Sequence, residues 1–575
     1  MAMIRRKIHK ALFNLCLLGL LSAVLQAQNS PFDPEMAAQA ALIREEVDGF
    51  TDRSLYITGE AISFSMRLQT SGLPDEVEWS RILYVDLISA SGARQAQGKF
   101  RIQNNMAVGE FQIPEGILTG VYFLRAYTRW MRNWDPSCYV YLPLRIINPT
   151  VPELDEAIPG EPGEHSLNAL SVTGGAVNIS TASRTFGRGD SIGVELLHFT
   201  GGAAGSLNGC LSIVPAAAKP GVPLLAEGSD RNEGSFQLDF LPDIFGVTLS
   251  GRVLRSVEDQ ALEGSRVHFT LLGEQAGYVV AHADAYGRFS MSLPGREGRL
   301  ELFVQPEQDG DGALEVRIDQ DFDSRVLSLE APSFSMDQQE EQALTLMARK
   351  HQLSGIYSDI QVREDPEEDR SKIPIYGTPD FRLNLDDYIL LPTLEEVFIN
   401  LVPDITPLSR PNRTDLTIAS VNPGISLFPP LLMVDQVPIF SMEQFLSISP
   451  SEISHIDVIT DVYVRGDMRF GGIINLWTRE GNMAGIDLPE YSFFIDYHAL
   501  TPLPGSSPGR GSSPDRLPDT RNTLLWMPGL LLERSVPRSV SFVAPDYPGD
   551  YVIIYQGWDE QGQAVSAESI ISIEQ

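Results

Sequence analysis

The sequence predicts a mainly β protein, a tandem of Ig-like β-sandwiches followed by one small α+β unit. Three observations carry this. Short runs of alternating apolar residues recur at sandwich spacing through the first 330 positions. Turn-forming residues are abundant, with 48 glycines and 39 prolines. Helical periodicity emerges only beyond residue 330. With 575 residues, 43% of them hydrophobic, the chain can bury roughly three to five cores at about 100–200 residues each.

The N-terminus comes first. Arg5, Arg6, Lys7 and Lys10 precede a mostly apolar stretch, 11–25, and the small Ala27 follows. That order is a secretory signal peptide, so residues 1–27 are expected to be cleaved and the protein exported. The stretch is shorter than the about 20 apolar residues of a spanning helix, and no later segment reaches that length without a charge or proline. No transmembrane segment is therefore expected after cleavage. Phe13-Asn14-Leu15 lacks the small residue expected before a lipidated Cys16.

Residues 28–150 read as a first sandwich, with strand runs at 55–57, 62–68, 82–88, 99–102, 107–113, 121–128 and 139–146. Ile62, Phe64, Met66 and Leu68 alternate onto one face. Residues 151–166 form an acidic, proline- and glycine-bearing linker. A second sandwich is expected over 167–245 and a third over 246–330. A helix and linker fill 331–390, with Ser335 and Gln338 spaced as a capping box and Ala343, Leu346, Met347 and Leu353 at helical period. Residues 391–482 read as the α+β unit, with Thr393 and Glu396 as one cap and Ser449-Pro450-Ser451-Glu452 as another helix start. Residues 483–575 return to β structure.

Charge excludes some functions. The formal net charge is −33. Removing the four basic residues of 1–27 leaves 39 − 76 = −37. Phosphate backbones and anionic lipid surfaces are repelled by such a chain, so no nucleic-acid partner is expected. Cys138 and Cys210 fall in different predicted domains and are expected to stay unpaired.

Asp52-Arg53-Ser54-Leu55-Tyr56-Ile57-Thr58-Gly59-Glu60 and Gly120-Val121-Tyr122-Phe123-Leu124-Arg125-Ala126-Tyr127-Thr128 resemble the MG2-type macroglobulin domain of Bacteroidota envelope proteins. Ser250-Gly251-Arg252-Val253, Gly264 and Asp284-Ala285-Tyr286-Gly287-Arg288-Phe289 resemble a carboxypeptidase-regulatory-like sandwich. Leu432-Met433-Val434-Asp435-Gln436-Val437-Pro438-Ile439, Ile448-Ser449-Pro450-Ser451-Glu452-Ile453 and Gly471-Gly472-Ile473-Ile474 resemble the plug of TonB-dependent outer-membrane receptors, with Gln436 where that family has glycine. These resemblances imply macroglobulin-like sandwiches and a plug-like domain. A receptor barrel has about 22 strands and needs on the order of 220 residues in strands alone. Beyond Asn482 the sequence has 575 − 482 = 93 residues, so a plug-like unit used as a binding module, or beside another chain's barrel, is expected rather than a transporter.

Catalytic motifs fail on inspection. A macroglobulin thioester needs cysteine before Gly-Glu-Gln, and Leu272 stands there before Gly273-Glu274-Gln275. Gly189-Asp190-Ser191-Ile192-Gly193 matches a nucleophile-elbow pattern, but a strand-like run follows instead of a helix. Asp309-Gly310-Asp311-Gly312 lacks the glutamate an EF-hand needs at position 12. The paired acids Asp386-Asp387 and Glu395-Glu396 read as solvated faces. No cofactor or metal is expected, and the protein is read as a non-enzyme. Arg129, Trp130, Arg132 and Trp134 are candidate interface anchors on a loop, with Asp435 and Gln436 as candidates on the plug-like unit. The expected role is a binding or adaptor protein of the periplasm, outer membrane or cell surface, with an envelope protein, such as an outer-membrane β-barrel, as partner. The alternative is a macroglobulin-like protease inhibitor without the thioester.

Overall fold

The computed structural model describes residues 34–73, 79–151, 153–155, 167–199, 205–226, 236–255, 260–261, 264–273, 276–307, 314–327, 329, 334, 336–358, 374–410, 413–419, 425–465, 468–486, 488, 491–502 and 519–574. The signal peptide with Cys16, most of the acidic linker, Ser335, Glu274-Gln275 and Asp309-Gly310-Asp311-Gly312 lie outside them. The protein is mainly β, built from stacked small sheets.

All seven runs read in the first sandwich are strands, and an eighth, Arg44–Thr51, precedes them. Arg44–Thr51, Ala61–Ser71 and Met106–Gln112 form one antiparallel sheet. The facing sheet is centred on Ile82–Ser89, Gly120–Thr128 and Val140–Ile147. Every residue of Ile82–Ser89 and Gly120–Thr128 is buried. These strands are covered on both faces, which is why they read as continuous apolar runs rather than alternating ones.

The second and third sandwiches are nested instead of consecutive. Ser206–Pro215 pairs along its length with Gly549–Asp559, and Ser191–His198 with Arg538–Val543. Gly209 stands opposite Gly557 where the two backbones close in. A Cβ on Gly209 would sit 2.2 Å from the Gln556 carbonyl oxygen, so glycine is required there. Thus 167–245 holds only half a sandwich, and the C-terminal strands supply the other half. The third sandwich, with sheets around Val247–Arg255 and Arg266–Leu272, is likewise completed by Phe493–His498, which pairs with Arg299–Pro306. The small α+β unit is inserted before that returning strand. Local patterning gives each strand but not its ladder partner, and unpaired backbone groups must find one wherever the chain returns.

The sheet of the α+β unit runs Phe381–Asn384, Ile453–Ile459, Ile473–Thr478, Leu431–Val434, Val437–Pro438. Helices Leu394–Leu401 and Met442–Ser447 contribute Leu394, Phe398 and Phe445 to its core. Thr393 caps the first helix, its Oγ1 accepting from the Glu396 amide at 3.2 Å. The expected helix at Ser449-Pro450 is a single 3-10 turn, Pro450–Glu452, because Ile453 already enters a strand. The nearby α-helix is Met442–Ser447, capped by Ser441.

The long helix Gln338–Ser358 is capped by Asp337. Its Oδ1 accepts from the Gln339 and Glu340 amides at 2.8 Å, while Glu340 accepts from the Asp337 amide at 3.1 Å. Of the expected stripe Met347 is buried and Ala343, Leu346 and Leu353 are half-buried, while Leu344 and Lys350 complete the buried face. Lys350 donates to the Arg521 carbonyl at 3.0 Å, and burial lowers its ammonium to about 8. Asp52 and Glu60 accept from Thr523 and Asn522, tying the same returning chain to the first sandwich.

The nested closure predicts a specific failure. Ile553 is fully buried in the second sandwich core, so Ile553→Ala should lower stability by about 2–5 kcal/mol in denaturant unfolding. Residues 167–215 expressed without 519–574 should be cleaved rapidly in limited proteolysis, and protection of that piece on its own would contradict the pairing.

Candidate functional site

The residues singled out as loop anchors line a seam inside the molecule. Arg129, Trp130, Arg132 and Trp134 are at most 7% exposed, so none presents an external anchor. The loop is a short 3-10 turn, Trp130–Asn133, folded back on the first sandwich. Trp130 Nε1 donates to the Ile43 carbonyl at 3.0 Å, and its ring meets Trp79 and Trp134 edge-on at 5.3 and 5.7 Å. Arg132 lies 3.7 Å over the Phe240 ring. Indole and guanidinium groups suit external interfaces, and here they serve an internal one.

The seam is held by charges that the sequence reading passed over. Arg125 and Asp86, 1% and 0% exposed in their side chains, form a buried ion pair, with Arg125 Nε donating to Asp86 at 3.0 Å. Arg125 also donates to the carbonyls of Asp323 and Arg325 at 2.8 and 2.7 Å. Those residues belong to the segment that leaves the third sandwich, so one guanidinium joins two domains. Lys99 donates to Asp321, to Tyr497 Oη at 3.1 Å and to the His498 carbonyl at 2.6 Å. Burial lowers the Lys99 ammonium from its ordinary value, with Asp321 acting in the opposite direction. Burial works to raise the Asp323 carboxyl, but hydrogen bonds from Arg325 and Tyr139 outweigh it and hold it below the usual range. Tyr84 donates to Asp243 at 2.9 Å.

A signal for this network was present. Asp86 and Arg125 are lone charges inside apolar strands, and Asp319, Asp321 and Asp323 alternate with period two. A charge in an apolar run calls for a buried partner.

Asp435 and Gln436 are also used internally. They form the tight turn between Leu431–Val434 and Val437–Pro438, both with positive φ (49° and 68°) despite the missing glycine. Asp435 accepts from the Thr478 amide and hydroxyl at 2.8 and 2.6 Å and from the Met483 amide at 2.9 Å. The Gln436 amide donates to Asn475 at 3.0 Å, and its side chain accepts from Ile375 at 2.8 Å. These bonds hold the strained turn. Ser191 begins a strand, Ser191–His198, so the nucleophile-elbow geometry does not form. No disulfide joins Cys138 to Cys210. Among the described residues no group of three or more His, Cys, Asp or Glu is placed to hold a metal ion, and no helix is long and apolar enough to cross a membrane.

No protein-family model matches the chain, and no curated protein matches it. Solved structures overlap it weakly. Trypsin-activated alpha-2-macroglobulin from Escherichia coli shares 11% identity at a TM-score of 0.23, covering 92% of this chain and 42% of that one. Methylamine-reacted Salmonella alpha-2-macroglobulin shares 10% at 0.23, covering 92% and 39%. Dimeric latent PorU from Porphyromonas gingivalis shares 10% at 0.16, covering 48% and 33%. The chain thus spans about two-fifths of the macroglobulins' length, and likenesses at these scores assign it no function.

Two outcomes follow from the seam. Arg125→Met leaves buried Asp86 with the more distant Arg94 at 3.7 Å and without its hydrogen-bonded guanidinium, and should cost about 3 kcal/mol in chemical unfolding. Glu45, beneath the turn, accepts from Ser80 and Thr128, and burial pushes its carboxyl up to about 7 from 4.5. The folded state therefore keeps a proton that the unfolded chain releases. Stability should fall by about 3 kcal/mol as pH rises from 4.5 to 7, then level off. Glu45→Gln should remove that fall in urea titrations across this range, and an unchanged pH profile would contradict the assignment.

Proposed function

We propose that this is an exported, non-catalytic binding or adaptor protein of a Gram-negative envelope, held at the outer membrane by docking of its plug-like unit on another chain's β-barrel. The observation that carries the reading is an exposed apolar run on that unit. Tyr388, Ile389 and Leu390 are 50%, 90% and 59% exposed in succession. The acidic pairs Asp386-Asp387 and Glu395-Glu396 flank them in sequence. Consecutive exposed apolar residues are a liability unless a partner covers them. The acids and the net charge of −33 disfavour a second copy or an anionic lipid surface and favour an apolar groove rimmed by Lys or Arg.

Tandem sandwiches keep the macroglobulin-like inhibitor as the second reading. Incubation with proteases of several classes separates the two, since a stable inhibitory complex belongs to the inhibitor alone.

The adaptor reading predicts that the protein co-purifies with an outer-membrane barrel in mild detergent. Ile389→Glu with Leu390→Glu should abolish this while leaving thermal unfolding unchanged. A wild-type protein that always runs as a solitary monomer would overturn the reading.

A further inference from the structure

The third sandwich carries a row of cations that folding does not call for. Val247–Arg255 lies between Arg288–Leu293 and Leu314–Ile318, and the register sets Arg252 opposite Arg288 on one side and Arg317 on the other. Directly opposed residues share a face, and like charges in that position destabilise a sheet. Two members are balanced. Arg288 donates to Asp239 at 3.0 Å, and Arg317 to Glu315 at 2.7 and 3.2 Å. The central Arg252 is exposed and makes no hydrogen bond or ion pair with any described residue.

Beside this row opens a cavity of about 330 Å³ lined by Arg129, Arg252, Arg288, Ser250, Ser290 and Asp319, with Asp239 also on its wall. Its volume is at the small end of the roughly 300–1,000 Å³ range of ligand pockets, and it lies between two domains, where such pockets concentrate. Arg129 is 1% exposed. It donates to the Thr248 carbonyl at 3.2 Å and to Ser250 Oγ at 2.5 Å, while its Nε is buried without a hydrogen-bond partner. Ser250 passes its own proton toward Asp319. The lining charges sum to 3 − 2 = +1. Guanidinium groups recognise planar or tetrahedral oxyanions by paired N–H donation, and the two aspartates and Ser290 can meet hydroxyl groups beside such an anion.

We infer that this cavity binds a sugar bearing one oxyanion, a carboxylate or a phosphate, with Arg252 and Arg288 on the anion and Asp239, Asp319 and Ser290 on the hydroxyls. The inference is independent of the plug-like unit's role. Titration calorimetry on the full chain tests it with glucuronate, glucose 6-phosphate, glucose, acetate and inorganic phosphate as probes. At least one acidic sugar should bind, and which one does separates the carboxylate from the phosphate source. Arg252→Gln should weaken that binding at least tenfold. Arg317→Gln, on the same row but outside the cavity lining, should leave it unchanged, and both variants should melt no lower than wild type, since both side chains are exposed and each substitution removes one of the opposed like charges. Four results would each overturn the site: no binding of either acidic sugar, equal binding of glucose, acetate or phosphate binding as tightly as the sugars, or an Arg252→Gln variant with unaltered affinity.

Discussion

The arrangement of the domains depends on buried charge that has to be paired. Asp86 and Arg125 sit in the middle of the first sandwich's apolar strands, where an unpartnered ion would be strongly destabilising. Arg125 turns further donors onto backbone carbonyls of the segment leaving the third sandwich. Lys99 does the same through Asp321 and the returning strand at Tyr497 and His498. These bonds are directional, so they fix the third sandwich on the first in one orientation, which apolar contact alone would not do. The continuous core beneath them, from Tyr84 and Tyr127 to Phe269 and Leu302, then fills in around that geometry.

The same seam explains how an acidic chain distributes its cations. Lys99, Arg125, Arg129 and Arg132 are all buried there, while the acid surplus is left to the rest of the molecule. Cations drawn into a seam are compensated by Asp86, Asp243, Asp321 and Asp323. Arg252 lies exposed in the cavity beside the seam, without a side-chain partner among the described residues.

Nesting gives the molecule its second character. The second sandwich is opened by Ser191–His198 and Ser206–Pro215 and closed by strands after residue 524. Between these halves lie the third sandwich and the α+β unit. His268 and Tyr278 of the third sandwich pack against Phe440, Leu431 and Met433 of the α+β unit, so that unit is seated on a wall instead of hanging from a linker. Pairings of such long sequence separation carry a large loop-closure cost before they return any stability.

The sequence by itself determined the fold class, the seven strand runs of the first sandwich and the Thr393 cap, because periodicity and capping act within a few residues. It also held, unread, the lone charges in apolar strands that announce the seam. Tertiary structure alone decided which strands close which sandwich, since 206–215 and 549–559 have suitable patterns but nothing local that names the other as partner. It also decided that Arg129, Trp130, Arg132 and Trp134 face inward, because aromatic and arginine side chains serve an internal interface by the same physics as an external one. The clustering of Arg129, Arg252 and Arg288 around one cavity is likewise tertiary. It arises from a sheet register and a domain contact, neither of which is written in the spacing of the residues.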